Sequence, residues 1–81
     1  MSQLARTSRQ LGALIRGHRR HRGWTQAELA SRAGTRQATI SEIEAGRDVK
    51  YSTVSDVLAA LELELTMQPR SSGSPGIEDL F

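Results

Sequence analysis

The chain has 81 residues, room for one small domain, since free-standing domains begin at about 55–65 residues. Its hydrophobic fraction of 37%, with one Trp, one Tyr and one Phe, is too small for a deep catalytic cavity but sufficient for a compact helical core. There is no cysteine, which excludes disulfides and thiolate metal sites and fits a cytoplasmic protein. The sequence has no 18-residue apolar run and no charged-then-apolar leader, so neither a membrane span nor secretion by that route is expected. The net charge of +2 conceals a split: residues 1–36 carry eight Arg against one Glu, +7, whereas residues 37–81 carry three cations against eight acids, −5. One half suits an anionic partner and the other does not.

From Ser8 to His21, Leu11, Leu14, Ile15 and His18 recur at spacings of three and four, the signature of one helical face. Thr7 or Ser8 can cap its start and Gly23 can end it. Thr25-Gln26-Ala27-Glu28 is a capping box, with Trp24 and Leu29 as the flanking apolar staple. It predicts a helix over about Gln26 to Ala33, stopped by Gly34. Thr35 is then expected to cap a third helix, about Arg36 to Glu44, with Ile40 and Ile43 on its inner face and Ala45-Gly46 at its end. Asp48 to Ser52 reads as a loop, and Tyr51 or Ser52 precedes a fourth helix carrying Val54, Val57, Leu58 and Leu61. After Leu61 the period changes: Glu62 to Gln68 alternates polar and apolar, the pattern of a half-buried strand. The competing reading extends helix four, because Leu58, Leu61 and Leu65 also fit a helical stripe, but Leu63 and Met67 lie off it. Pro69 ends the segment. Arg70 to Gly76 has the composition of a linker, and Ile77 to Phe81 is apolar and acidic. The expected organisation is a flexible N-terminus over 1–7, a DNA-binding and dimerisation domain over 8–68 and a flexible tail over 69–81.

A short helix, a Gly-containing turn and a second short helix form a helix-turn-helix pattern. Ala30 is small enough for the second helix to cross, Gly34 makes the turn, and Ile40 and Ile43 face Leu29 and Ala33. Gly23-Trp24-Thr25-Gln26-Ala27-Glu28-Leu29-Ala30, Ala33-Gly34 and Gln37 through Gly46 together resemble the phage-repressor/Cro-type (xenobiotic-response-element) helix-turn-helix family over residues 9–61. The following Leu61-Glu62-Leu63-Glu64-Leu65-Thr66-Met67 is similar to the HipB-like antitoxins of type II toxin–antitoxin systems, which partner HipA-like serine/threonine kinase toxins. Thr35 departs from the pattern, which usually buries Val or Ile there. The fold class implied is mainly all-α, a four- to five-element repressor-type domain with one C-terminal strand.

On the third helix, Arg36, Gln37, Ala38 and Ser41 project opposite Ile40 and Ile43, which suits the major groove. Arg36 can pair with guanine and Gln37 with adenine, and Ala38 can touch a thymine methyl; each good bidentate contact is worth about 1–3 kcal/mol of discrimination. Glu42 would repel phosphate and is expected to turn away. Phosphate contacts are expected from the amides of Thr25 and Gln26 at the start of helix two, from Thr39, from Lys50, Tyr51 and Ser52, and through long-range attraction from Arg19 and Arg20. His18 and His21, three apart, lack a nearby carboxylate or thiol and are no metal site. No cofactor is implied.

A lone strand leaves both edges unpaired. Pairing with the same strand of a second copy solves this and makes a homodimer, with Leu63, Leu65 and Met67 covering the helical cores. Such a dimer carries two reading helices, suited to a palindromic double-stranded DNA operator. The tail can dock on a partner through Ile77, Leu80 and Phe81, and the resemblance implies a kinase toxin there. The expected function is a repressor that is also an antitoxin and autoregulates its operon, cytoplasmic and nucleoid-associated. The alternative is a stand-alone phage-type regulator without a toxin. A membrane- or RNA-binding module is disfavoured because arginines surround helix one instead of forming one polar face. An enzyme is not expected: no nucleophile–base pair, Gly-rich phosphate loop or metal cluster is present.

Overall fold

The computed structural model describes residues 4–67 and 69. Four helices follow in order: α1 (Ser8–His21), α2 (Gln26–Ala33), α3 (Gln37–Glu44) and α4 (Tyr51–Ala60). Among the described residues none is longer and more apolar than a globular helix, and no helix could cross a membrane. The fold is the expected all-α helix-turn-helix arrangement.

The core is drawn from all four helices. Ile15, Leu29, Ala30, Ile40, Ile43, Val54, Val57, Leu58 and Leu61 are buried, with Leu11, Trp24, Ala33, Val49, Ala60 and Leu63 packed around them. Burying a Leu, Ile or Val fully contributes on the order of 1.5–3 kcal/mol, so this cluster is the main source of stability. Ala30, 3% exposed, is the small residue at the α2–α3 crossing. A second close approach lies between α1 and α3: a Cβ on Gly12 would collide with the carbonyl oxygen of Ile43 and stand 3.0 Å from that of Glu44.

The helix boundaries follow local chemistry. Thr7 caps α1 by accepting from the Gln10 amide. In the capping box of α2, Thr25 Oγ1 accepts from the Glu28 amide at 3.0 Å and Glu28 Oε1 accepts from the Thr25 amide at 3.1 Å. Two starts differ from expectation. Thr35 does not cap α3: its amide closes the α2 C-terminus by donating to the Ala30 carbonyl at 2.9 Å. Arg36 is the N-cap instead, with no side-chain cap bond. Likewise Tyr51 is already helical and Lys50 is the N-cap of α4, also without a side-chain bond.

The C-terminal alternation does not appear as a strand. Residues 63–67 carry no regular secondary structure. The physical reason is the one that made the strand a dimer element: a single chain offers it no partner for its N–H and C=O groups. Of the three residues expected to cover the core, Leu63 packs against it, Leu65 is half exposed, and Met67 is fully exposed. Leu65 lines a shallow groove of about 180 Å³ with Leu11, Ile43, Val49, Tyr51 and Val54. Glu62 redirects the chain out of α4: its φ is 59°, and the Leu63 amide donates back to the Leu58 carbonyl at 2.8 Å. The tail residues Ile77, Leu80 and Phe81 lie outside the described residues.

Candidate nucleic-acid interface

The exposed face of α3 is built by a division of its circumference. Ile40 and Ile43 are buried, and Arg36, Gln37, Ala38 and Ser41 are all exposed. At 100° per residue Gln37, Ser41 and Ala38 fall within one third of the helix surface, opposite the two isoleucines. Three of the four residues singled out from sequence, Gln37, Ala38 and Ser41, are thus brought together on one free face, and Arg36 stands before it as the exposed N-cap. Glu42 is exposed on the flank of Ala38, one turn further along, and Thr39 is half-buried.

The start of α3 is chemically open. The Arg36 carbonyl accepts from the Thr39 and Ile40 amides, but no side chain caps the first turn, leaving the Gln37 and Ala38 amides without an intrahelical acceptor. A cation at the N-cap also opposes the helix dipole. Lys50 repeats both features at α4. Two helix starts therefore present free N–H groups beside a positive side chain, a combination that an anion satisfies. Lys50, Tyr51 and Ser52 are exposed at the second of them.

At α2 the amides sort differently from expectation. The Thr25 amide is occupied by Glu28 within the capping box, so it is not open to phosphate as the sequence suggested. The amides of Gln26 and Ala27, between the two that the box consumes, are the orphans of this turn. The Gln26 side chain is also occupied, donating through Nε2 to Glu44 Oε1 at 3.2 Å.

Arg19 requires the largest correction. Expected to lend long-range attraction to phosphates, it turns inward. Its Nε donates to Glu44 Oε2 at 2.7 Å and its Nη2 to Glu44 Oε1 at 3.0 Å, a bidentate pair, while Nη1 donates to the Trp24 carbonyl at 2.7 Å. The two side chains are only 11% and 5% exposed. The hydrogen bond to Glu44 raises the Arg19 guanidinium pKa above its already high ordinary value, against an opposing desolvation. Accordingly the Glu44 carboxylate at the end of α3 is largely covered and paired with a cation. The pair joins the ends of α1 and α3 to the start of α2, fixing the angle at which α3 is presented. Arg20, by contrast, is exposed.

One cluster had no counterpart in the sequence reading. Two guanidinium groups stand over the Trp24 ring, Arg32 at 4.2 Å and Arg22 at 5.3 Å from its centroid. Arg22 Nη2 also donates to the Leu61 carbonyl at 2.6 Å, placing a cation at the α4 C-terminus, where the dipole favours it. Among the described residues no group of three or more His, Asp or Glu could hold a metal ion.

This geometry defines a class, a helix-turn-helix domain whose second helix exposes its outer face, and the comparisons agree on the class. A family model described as a helix-turn-helix domain matches residues 10–69. Two relatives named antitoxin HipB, from Escherichia coli strains CFT073 and K12, are each 39% identical over 67 residues; the alignments cover 82% of this chain and 71% and 76% of theirs. Among solved structures, a HipA-HipB-O2-O3 complex and a HipB-O4 20mer complex each superpose with a TM-score of 0.77 at 35% identity, covering 84% of this chain and 97% of the other. The chain belongs to the HipB antitoxin family.

Proposed function

We propose that this chain is a sequence-specific DNA-binding antitoxin. It represses its own operon as a dimer on a palindromic operator and holds a HipA-like serine/threonine kinase toxin. The observation that carries the reading is α3 itself: Gln37, Ala38 and Ser41 are exposed on one face behind an uncapped, cationic Arg36, in a chain of the HipB family. The solved HipB relatives, one of them in a complex with HipA, support both partners. In this reading Arg36, Gln37, Ala38 and Ser41 meet base edges. The Gln26 amide, Thr39, Lys50, Tyr51, Ser52 and Arg20 meet phosphates. The protein performs no catalysis and works in the cytoplasm, on the nucleoid. The segment bearing Leu63, Leu65 and Met67 pairs with its copy across the two-fold axis, and Ile77, Leu80 and Phe81 approach the toxin.

Binding to the DNA just upstream of its own gene tests the reading. Gln37→Ala should lose about 1–3 kcal/mol of preference for that DNA over a scrambled duplex, with its helical circular dichroism intact. Unchanged sequence preference in both Gln37→Ala and Arg36→Ala would refute α3 as the reading helix. The dimer has a separate test: sedimentation at micromolar concentration should give twice the chain mass of 8.9 kDa, and a monomer there sinks the strand pairing.

A further inference from the structure

Three arginines of α1 take part in none of the side-chain contacts within the domain described above, and of these only Arg20 is among the expected phosphate contacts. Arg9, Arg16 and Arg20 are exposed, and at 100° per residue they fall within about 40° of one another, a single stripe roughly 16 Å long at 1.5 Å rise per residue. Among the described residues the salt bridge found is Arg19–Glu44, and none of the three has a carboxylate partner. No acid precedes Glu28 in the chain, so α1 contains no carboxylate to relieve their mutual repulsion. Like charges at i, i+4, as in Arg16 and Arg20, destabilise a helix by a few tenths of a kcal/mol. Only Arg20, in the last turn, gains from the helix dipole, and no carboxylate pairs with any member of the stripe.

Its position relates it to the interface. The neighbouring edge of α1 is the one turned to α3, where Gly12 meets Ile43 and Arg19 meets Glu44. At one end of the stripe the Arg9 backbone seats Gly46: a Cβ there would stand 2.9 Å from the Arg9 Cα. Arg47 and Lys50 follow in the same loop. At the other end Arg20 follows Arg19, which reaches the Trp24 carbonyl and, through Glu44, the Gln26 side chain. The stripe thus runs from the α3–α4 loop to the start of α2, between the two places where phosphates are expected.

We propose that Arg9, Arg16 and Arg20 form a phosphate track that engages the DNA backbone beside the bases read by α3. The inference rests on the DNA-binding reading and deepens it. Its occupant is duplex DNA of any sequence, because phosphate contacts carry no sequence information. The arginines suit this role, since guanidinium pairs with phosphate bidentately.

The test is the salt dependence of binding by the full chain. Each phosphate contact contributes about 0.9 to the slope of log K against log salt. Arg16→Gln combined with Arg20→Gln should lower the slope by about 1.8, so that raising salt fourfold weakens the variant about 12-fold less than the wild type. The decrease should be equal on upstream DNA and on a scrambled duplex of the same length. Ala13→Arg, at an exposed position on the same stripe, should steepen the slope by about 0.9 without removing any contact on which the fold depends. Unchanged slopes in both variants overturn the track. So does a decrease confined to the upstream sequence, or unchanged slopes with loss of binding to a protein partner, which would assign the stripe to a protein surface. Failure of the wild type to prefer its upstream DNA would instead overturn the reading helix, so the two failures are distinguishable.

Discussion

All four helices end alike but begin in two different ways. At every C-terminus the chain turns back through a left-handed residue, with paired amide-to-carbonyl bonds: Trp24 to Arg19, Thr35 to Ala30, Arg47 to Glu42 and Leu63 to Leu58. At the N-termini the helices separate. α1 and α2 start on threonines whose hydroxyls accept from their own first turn. α3 and α4 start on Arg36 and Lys50, which make no side-chain cap bond. A Ser or Asp at either place would stabilise the monomer by about 1 kcal/mol. The difference teaches which helix starts the chain's own side chains close and which they leave to a partner: α1 and α2 are closed by threonine caps, although α2 keeps the Gln26 and Ala27 amides free, and α3 and α4 are open and cationic.

The largest expected effect tests the closed region. Glu44→Ala removes the counter-charge from a guanidinium whose side chain is 11% exposed, and uncompensated charges of this kind cost about 3–5 kcal/mol. Urea denaturation should show that loss, and with it the joint that sets α3 against α1 and α2. A cost below about 1 kcal/mol would mean that the pair is an ordinary surface bridge.

The next prediction closes one of the open starts. Arg36→Ser supplies the missing hydroxyl cap and removes the cation, so the free protein should gain about 0.5–1 kcal/mol in denaturation. Affinity for the upstream DNA should fall at least about fivefold, the equivalent of a 1–3 kcal/mol base contact. Opposite signs in the two measurements are the signature of a site left open for a ligand. A stability gain with binding intact would make the missing cap incidental.

The sequence made the closed parts legible and left the paired ones hidden. Thr25 with Glu28, Gly34, and Ile40 with Ile43 encode local geometry within a few residues, and the structure places each as expected. The Arg19–Glu44 pair joins residues 25 apart in sequence, and residue type alone does not distinguish the inward-turned Arg19 from its exposed neighbour Arg20. Helical phase was the available signal: Arg19 lies on the same side of α1 as Ile15 and Gly12. Gly12 was hidden likewise, because a mid-helix glycine discloses no partner until α3 crosses it. Thr35 was misplaced by one residue because a threonine before a helix is a good cap wherever its amide is not already needed by the preceding turn. The 62–68 alternation described a strand that a lone chain has no means to form.

The smallest expected effect concerns the one C-terminus that breaks the pattern. Gly23, Gly34 and Gly46 hold three of the left-handed positions and Glu62, φ 59°, holds the fourth. A side chain in that conformation costs about 1–2 kcal/mol, whereas glycine costs about 0.5–1 kcal/mol in the entropy lost on folding. Glu62→Gly should therefore stabilise the chain by about 0.5 kcal/mol, read as a rise of about 2–4 °C in Tm, provided that Glu62 serves only to turn the chain. The carboxylate begins the segment proposed to pair between copies, so the sign depends on assembly. A gain at low protein concentration that reverses at high concentration would place Glu62 in the dimer, strained in each chain for a contact made between them. A gain independent of concentration would leave it as the fourth helix's ending, with glutamate standing where glycine serves the other three.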